Sequence, residues 1–505
     1  MTLLSSTPLR SIGRQTFRGR SLILGGAILW YILQSLSIMN DAPPASPDGA
    51  VFADAAHNLI TTGRLGTDLV VGMESHSYWQ PPGYYLALAA IFKLFGYGLW
   101  QLRLLSICFG GMCLWAVYAL SSKAHSNQTA SVLAVVLLAF DPVFVKWVRW
   151  DRTDSLCEFF VLCSLIAYLT AITKKGVHYW VAAGVCASVA TLIHPYGVVS
   201  FAVTGLHFLF ARRPALKETL YFSIPAIVFF CGWGAYILQG PQEFLVQFQY
   251  QINRKAEWNV ASLMGTLAQY RFYPSYAVVI LSGLAALVVN RKEHPWNQRS
   301  VLVFSVLVAL CSCFVIRGPY YHTYLAPFLA VAASIAVVRF LQSGLPVFRR
   351  IVMALVALVV VNGVAYTGAL TYLYKWKLRQ KADHEVLVRQ ILERVPLGSK
   401  IGHLGYPTPY WILHELQAGG RLRELYVLRA KDAREVFEDL DYLVYTQCSD
   451  TSYENGLTQC DVVYARDVLR HDGRRLQYLG QVGANDVHAY RAYIYSIEND
   501  DQRKE

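Results

Sequence analysis

Long apolar runs separated by short polar breaks make up the first three quarters of the chain. Runs long enough to cross a bilayer lie at 21–39, 101–121, 129–146, 154–173, 177–193, 196–211, 219–238, 274–290, 300–316, 322–341 and 351–373. The stretch 81–97 is also apolar, and reads either as a twelfth crossing or as a helix lying at the membrane interface. After residue 377 the pattern changes. HEVLVRQILERV, TPYWILHELQ and AKDAREVF carry helical spacing, while SKIGHL, RELYVL, DYLVYT and HAYRAYIYSI read as strands. That alternation predicts a small α/β domain with a largely parallel sheet. The chain therefore divides into a segment 1–20, a helical membrane domain 21–376 with a first loop at 40–100, and an α/β domain 377–505.

Composition agrees with the pattern. The 505 residues are 55% hydrophobic and only 15% charged, against about 25% charged in soluble domains. The net charge of +12 does not point to nucleic acid, because of where it sits. Residues 1–376 hold 27 Lys and Arg against 13 Asp and Glu, and residues 377–505 hold 18 against 20. Positive charge among apolar spans sets orientation. With 81–97 at the interface and the N-terminus cytoplasmic, the inner loops collect 16 basic residues and two acids, Glu218 and Glu293. Making 81–97 a crossing would move Lys174, Lys175, Arg212, Arg213, Arg349 and Arg350 outside, so the eleven-span arrangement is preferred. The first apolar run spans 19 residues and no small-residue cleavage site follows it, which predicts a retained span. The expected location is the plasma or inner membrane, with the C-terminal domain extracytoplasmic.

This topology gathers the interesting chemistry on the outer face. Asp48 lies between Pro47 and Gly49, just before a helical apolar spacing (Val51, Phe52, Ala55, Leu59). A carboxylate at a helix start is favoured in its charged form by the dipole and the open N–H groups. It suits a general base; an ordinary N-cap is the plainer alternative. A second group is Lys146, Arg149, Asp151, Arg152 and Asp154, interleaved with Trp147 and Trp150. Arg152 and Asp154 read as binding an anionic headgroup and orienting substrate, with simple ion pairing as the alternative. A third is RGPYYHTYLAP, where Arg317, His322 and Tyr324 offer donors to a phosphate, or else form an interfacial aromatic belt. His194, in HPYG, marks a turn between two short spans. Eight of the ten cysteines fall in or beside apolar spans without metal-ligand spacing; Cys448 and Cys460 lie in the polar region and could pair in an oxidising compartment.

The order SPDGAVFADAAHNLITTGRLG, QPPGYYLALAAIFKLFG, RLLS, RTDSL, HPYG and YYHTYLAP resembles the GT-C glycosyltransferases, and within them the protein O-mannosyltransferase and aminoarabinose-transferase-like group. The resemblance covers about residues 20–340. It implies a polytopic enzyme that takes a sugar from a polyprenyl-phosphate carrier and gives it to a lipid, glycan or protein acceptor outside the cytoplasm. The family's first-loop acid falls on Asp48 and its Arg/acid motif on Arg152 and Asp154. Family members often carry two adjacent acids in the first loop; here Asp48 is followed by Gly49.

The implied chemistry fits these residue types. A lipid phosphate leaves as a stable anion, so one base and cationic clamps are sufficient. Asp48 would take the acceptor's proton, and Arg152, helped by Arg149, Arg103, Arg317 and His322, would neutralise the phosphate. Attack opposite the phosphate predicts inversion at the sugar carbon. The chemistry demands no cofactor or divalent metal. The rival reading is a multi-pass transporter or flippase, which should bury ionisable residues near the bilayer midplane.

Overall fold

The computed structural model describes residues 9–37, 39, 47–67, 73–78, 80–125, 127–255, 296–315, 321–342 and 346–372. It also describes 277–281, 393–396, the strand regions 401–405, 422–424, 440–448, 474–483 and 490–499, and a few single positions. The helices in order are α1 (Leu9–Leu36), α2 (Pro47–Thr62), α3 (Gly83–Phe95), α4 (Leu99–His125), α5 (Gln128–Ala139), α6 (Pro142–Trp147) and α7 (Asp154–Lys174). There follow α8 (Val177–Ile193), α9 (Val199–Phe210), α10 (Leu216–Ile237), α11 (Pro241–Lys255), α12 (Trp296–Val315), α13 (His322–Gln342) and α14 (Pro346–Tyr372). Among the described residues, α4, α7, α10, α13 and α14 are long and apolar enough to cross a membrane.

Burial separates the bundle's centre from its rim. α13 is buried from His322 to Val338 and lies against α4, α5 and α7, while α7 is flanked by α4 and α8. α10 and α14 instead expose Leu216, Ile227, Val228, Val347, Met353 and Val361. Helices that present leucine, isoleucine and valine outward suit a hydrocarbon solvent, not water. Polar side chains tie the centre together. Ser164 Oγ donates to the Ala183 carbonyl at 2.9 Å, and the Tyr168 hydroxyl lies 2.6 Å from His207 Nδ1. Gly184 lets α8 meet α10 closely, since a Cβ there would fall on the Phe222 carbonyl.

Two short helices differ from long-span behaviour. α3 has 13 residues, roughly 20 Å, which is too short for the hydrocarbon core. It lies against α2, α4 and α8. The apolar run 129–146, expected as one span, is broken. α5 ends at Ala139, and Asp141 then caps α6 by accepting from the Val143 and Phe144 N–H groups at 2.8 and 3.1 Å. Pro142 occupies the first helical position, where its missing N–H is harmless. Of the expected span 274–290, most lies outside the described residues.

α11 occupies the start of the long loop 239–273. Its Gln247 receives the Tyr78 N–H at 2.6 Å and donates to the His76 carbonyl at 2.9 Å. His76 Nδ1 lies 3.0 Å from Glu243 Oε2. These contacts fasten the end of the first loop to α11.

The C-terminal strands β1 (Ile401–Gly405), β2 (Leu422–Glu424), β3 (Tyr442–Cys448), β4 (Arg474–Gly483) and β5 (Tyr490–Asn499) form one sheet in the order β2-β1-β3-β5-β4. β1 pairs in parallel with β2 and β3, whereas β5 runs antiparallel to β3 and β4. The sheet is thus mixed, not largely parallel. The strand missing from the sequence reading is β4. Its alternation is interrupted at Gly480, which sits at φ 143° beside a register shift against β5. The helices expected at TPYWILHELQ and AKDAREVF, and the Cys448–Cys460 pairing, lie outside what the structure describes.

Candidate functional site

Three segments meet where α2, α3 and α7 begin. α2 starts at Pro47, whose fixed φ suits a first helical position, and so puts Asp48 in the first turn. α7 starts at Asp154. The loop before α7 is held by Ser106 Oγ of α4, which donates to the Arg152 carbonyl at 3.1 Å, and by the Arg152 N–H, which donates to the Trp150 carbonyl at 2.8 Å. With its backbone fixed, Arg152 reaches two carboxylates. Its Nη1 donates to Asp48 Oδ2 at 2.8 Å and its Nε to Asp154 Oδ2 at 2.7 Å.

Exposure is graded across this triad. The Asp48 side chain is 23% exposed, Arg152 8% and Asp154 1%. Asp48 is therefore the member that a molecule arriving from solvent or from the membrane surface can touch. Asp154 works from behind, holding the guanidinium plane through Nε. A fork with several N–H groups can hold both acids and still present a donor to a phosphate.

Aromatic residues that the sequence reading did not single out enclose the triad. Tyr84 and Tyr85, on the first turn of α3, are fully buried. Tyr84 is an electrostatic neighbour of Asp151, Asp154 and Arg152, and Tyr85 of Asp48. Phe52 of α2 meets both rings edge-on, at 5.2 and 5.8 Å between centroids. The signal for this pair was present: Pro82 followed by Gly-Tyr-Tyr opens a helix whose first turn must face the loop before it. Across the site, Tyr324 is an electrostatic neighbour of Asp154 and Cys157. Its ring stacks on Tyr196 at 3.7 Å and lies 6.0 Å from the His194 ring.

The remaining expected residues take up places around the triad, not within it. His194 ends α8, and its Nδ1 accepts the Tyr196 N–H at 3.1 Å. Arg103 is buried on α4 and donates through Nη1 to the Met39 carbonyl at 2.6 Å. Arg149 is buried too, and donates through Nη2 to the Gln34 side chain of α1. His322 is fully buried, with Nε2 3.4 Å from Asp141 Oδ2. Arg317 lies outside the described residues. Gln34 also lines an open groove of about 440 Å³ between α1 and α14, with Trp30, Leu33, Thr371 and Tyr372. Glu158, one turn along α7 from Asp154, is fully buried, and neither carboxyl oxygen has a hydrogen-bond partner among the described residues. It is an acid set inside the apolar run 154–173, four residues after Asp154. Among the described residues no group of three or more His, Cys, Asp or Glu could hold a metal ion.

Residues 79–233 match the family model described as dolichyl-phosphate-mannose-protein mannosyltransferase. That stretch begins beside α3 and carries the Arg152–Asp154 half of the site. An uncharacterized protein of Aquifex aeolicus is 25% identical over 191 residues, which is 37% of this chain and 38% of that relative's length. Among solved structures, ArnT from Cupriavidus metallidurans bound to undecaprenyl phosphate superposes with a TM-score of 0.62. It is 12% identical and covers 94% of this chain and 97% of its own. The archaeal oligosaccharyltransferase AglB from Archaeoglobus fulgidus, in complex with an inhibitory peptide and a dolichol-phosphate, gives 0.61. It is 10% identical over 96% of this chain and 75% of its own. The chain is a multi-pass membrane protein with the polytopic fold of the GT-C glycosyltransferases, as its sequence motifs led one to expect.

Proposed function

We propose that this chain is an integral membrane glycosyltransferase that moves a sugar from a polyprenyl-phosphate donor to a lipid, glycan or protein acceptor. The observation that carries this reading is the triad: an accessible Asp48 joined at 2.8 Å to Arg152, which is itself anchored by Asp154. Undecaprenyl phosphate on ArnT and dolichol-phosphate on AglB support the donor class. The positive-inside pattern supports an extracytoplasmic triad and C-terminal domain, and a cytoplasmic N-terminus.

The reaction follows from charge. The carrier phosphate docks against Arg152 and competes with Asp48 for the guanidinium. Asp48, loosened from its ion pair, takes the proton of the acceptor hydroxyl or amine. The acceptor atom bonds to the anomeric carbon as the carbon–oxygen bond to phosphate breaks, and the electron pair leaves with the phosphate. Arg152 stabilises the charge that develops there. Attack and departure on opposite faces invert the sugar carbon. The phosphate needs no proton from an acid to leave, unlike the leaving oxygen in glycoside hydrolysis. The groove between α1 and α14 offers an apolar place for the isoprenoid tail, and Gln34 on its lining accepts from Arg149, three residues before Arg152 in the chain. A transporter would keep its working charges near mid-bilayer, whereas these pairs stand at helix starts.

The test is lipid and glycan profiling of a strain lacking the gene. Accumulation of a prenyl-linked sugar together with a truncated acceptor is expected. An unchanged profile of both would overturn the reading.

A further inference from the structure

Directly after Asp48 the chain has Gly49, buried at the first turn of α2. A Cβ built on Gly49 would fall on the Asp151 carboxylate, 2.6 Å from its Cγ and 3.0 Å from its Cβ. The place where a side chain on residue 49 would go is therefore filled by a carboxyl group from another segment, the loop between α6 and α7. Asp151 is fully buried. A carboxylate out of water is costly unless dipoles or charges compensate it. Here it stands against the first turn of a helix, where backbone N–H groups have no intrahelical acceptor and the dipole favours an anion. Tyr84, packed edge-on against Phe52, is its electrostatic neighbour.

The arrangement has a geometric consequence. Asp151 and Arg152 are adjacent in sequence, as are Asp48 and Gly49. The contact of Asp151 with Gly49 and the ion pair of Arg152 with Asp48 thus run side by side and tie one loop to the other at two successive residues. An arginine–aspartate pair alone can swivel about both side chains. A second contact one residue along fixes the start of α2 relative to the loop, and with it the direction of the Asp48 carboxylate.

We propose that Asp151 is a positioning residue for Asp48: it occupies the side-chain place of residue 49 and supplies, from the second loop, the acid next to the base. Residue 49 must then be glycine as long as residue 151 is aspartate. The catalytic half of this inference rests on the transferase reading above; the packing half does not.

The experiment uses the full chain and three variants: Gly49→Ala, Asp151→Gly, and the exchange Gly49→Asp with Asp151→Gly. Each is purified in lipid nanodiscs for thermal unfolding. Each is also returned to the gene-deleted strain, where clearance of the accumulated prenyl-linked sugar is measured per folded protein. Gly49→Ala is expected to lower the unfolding temperature by several degrees, because the new methyl has no space. Asp151→Gly is expected to slow clearance on the order of a hundredfold, the usual consequence of a base displaced by about 1 Å. The exchange, which puts the acid back from the other side, is expected to recover at least tenfold of that loss. Wild-type unfolding of Gly49→Ala would overturn the packing half. An exchange variant that folds like wild type yet clears no faster than Asp151→Gly would overturn the positioning half. If wild type itself clears nothing, the transferase reading fails and takes the positioning half with it, while unfolding still decides the packing half.

Discussion

Asp48 and Arg152 stand 104 residues apart in the chain, and their side chains are joined at 2.8 Å. The second carboxylate on the same guanidinium, Asp154, lies only two residues from Arg152 and is 1% exposed. One partner is local and buried, the other distant and accessible. Arg152 is thus held in place by Asp154 and offered to Asp48, and removing it leaves two acids with no shared counter-charge. Arg152→Gln should destabilise the chain by about 3–5 kcal/mol, the usual consequence of breaking a buried pair from one side. Arg152→Lys should restore part of the stability but little of the sugar clearance, because an ammonium has no fork to reach both acids. Thermal unfolding and lipid profiling of the two variants check this, and equal clearance by both Lys and wild type would contradict it.

Tyr324 offers a cleaner separation of packing from chemistry. Its ring stacks on Tyr196 at 3.7 Å, while its hydroxyl neighbours Asp154. Tyr324→Phe keeps the stack, so unfolding should shift by less than about 1 kcal/mol. Tyr324→Ala removes the ring and should lose about 3–5 kcal/mol. Loss of clearance in the Phe variant at unchanged stability would assign the hydroxyl to substrate; the account expects a measurable drop there, and none in expression.

Asp141 and His322 form a support, 3.4 Å apart and both fully buried. Asp141 also caps α6, whose end leads into the Trp147–Arg152 loop. Asp141→Ala should lose about 1–2 kcal/mol for the cap, and Asp141→Asn, which can still accept the two N–H groups, clearly less. Equal unfolding temperatures for the two variants would contradict the cap.

Much of this was legible in the chain because membrane burial leaves a coarse signature. Apolar length gave most of the span helices, and Pro47 before Asp48 gave the start of α2 with its acid. Arg152 and Asp154 were legible because charges so close to an apolar run need a reason. Other features were not, each for a physical cause. The break at Asp141 hides inside a run that is apolar on both sides, since a single cap and a proline outweigh composition locally. Tyr84, Tyr85 and Tyr196 look like interfacial aromatics until the fold turns them inward. Asp151 stands out in the sequence only as one acid of the Lys146–Asp154 group; that it fills the side-chain place of Gly49 is visible only in the tertiary structure. β4 was lost because Gly480 and the register shift beside it interrupt the alternation on which a strand is recognised.

The central claim is that Asp48 is the base, and a single replacement reaches it. Asp48→Asn keeps the shape and a hydrogen-bond acceptor for Arg152 but cannot take a proton at neutral pH. Expressed in the gene-deleted strain at wild-type level, this variant should insert and unfold like the parent and leave the prenyl-linked sugar accumulated, with clearance down by about a hundredfold or more. Clearance within a few-fold of wild type would show that the proton goes elsewhere.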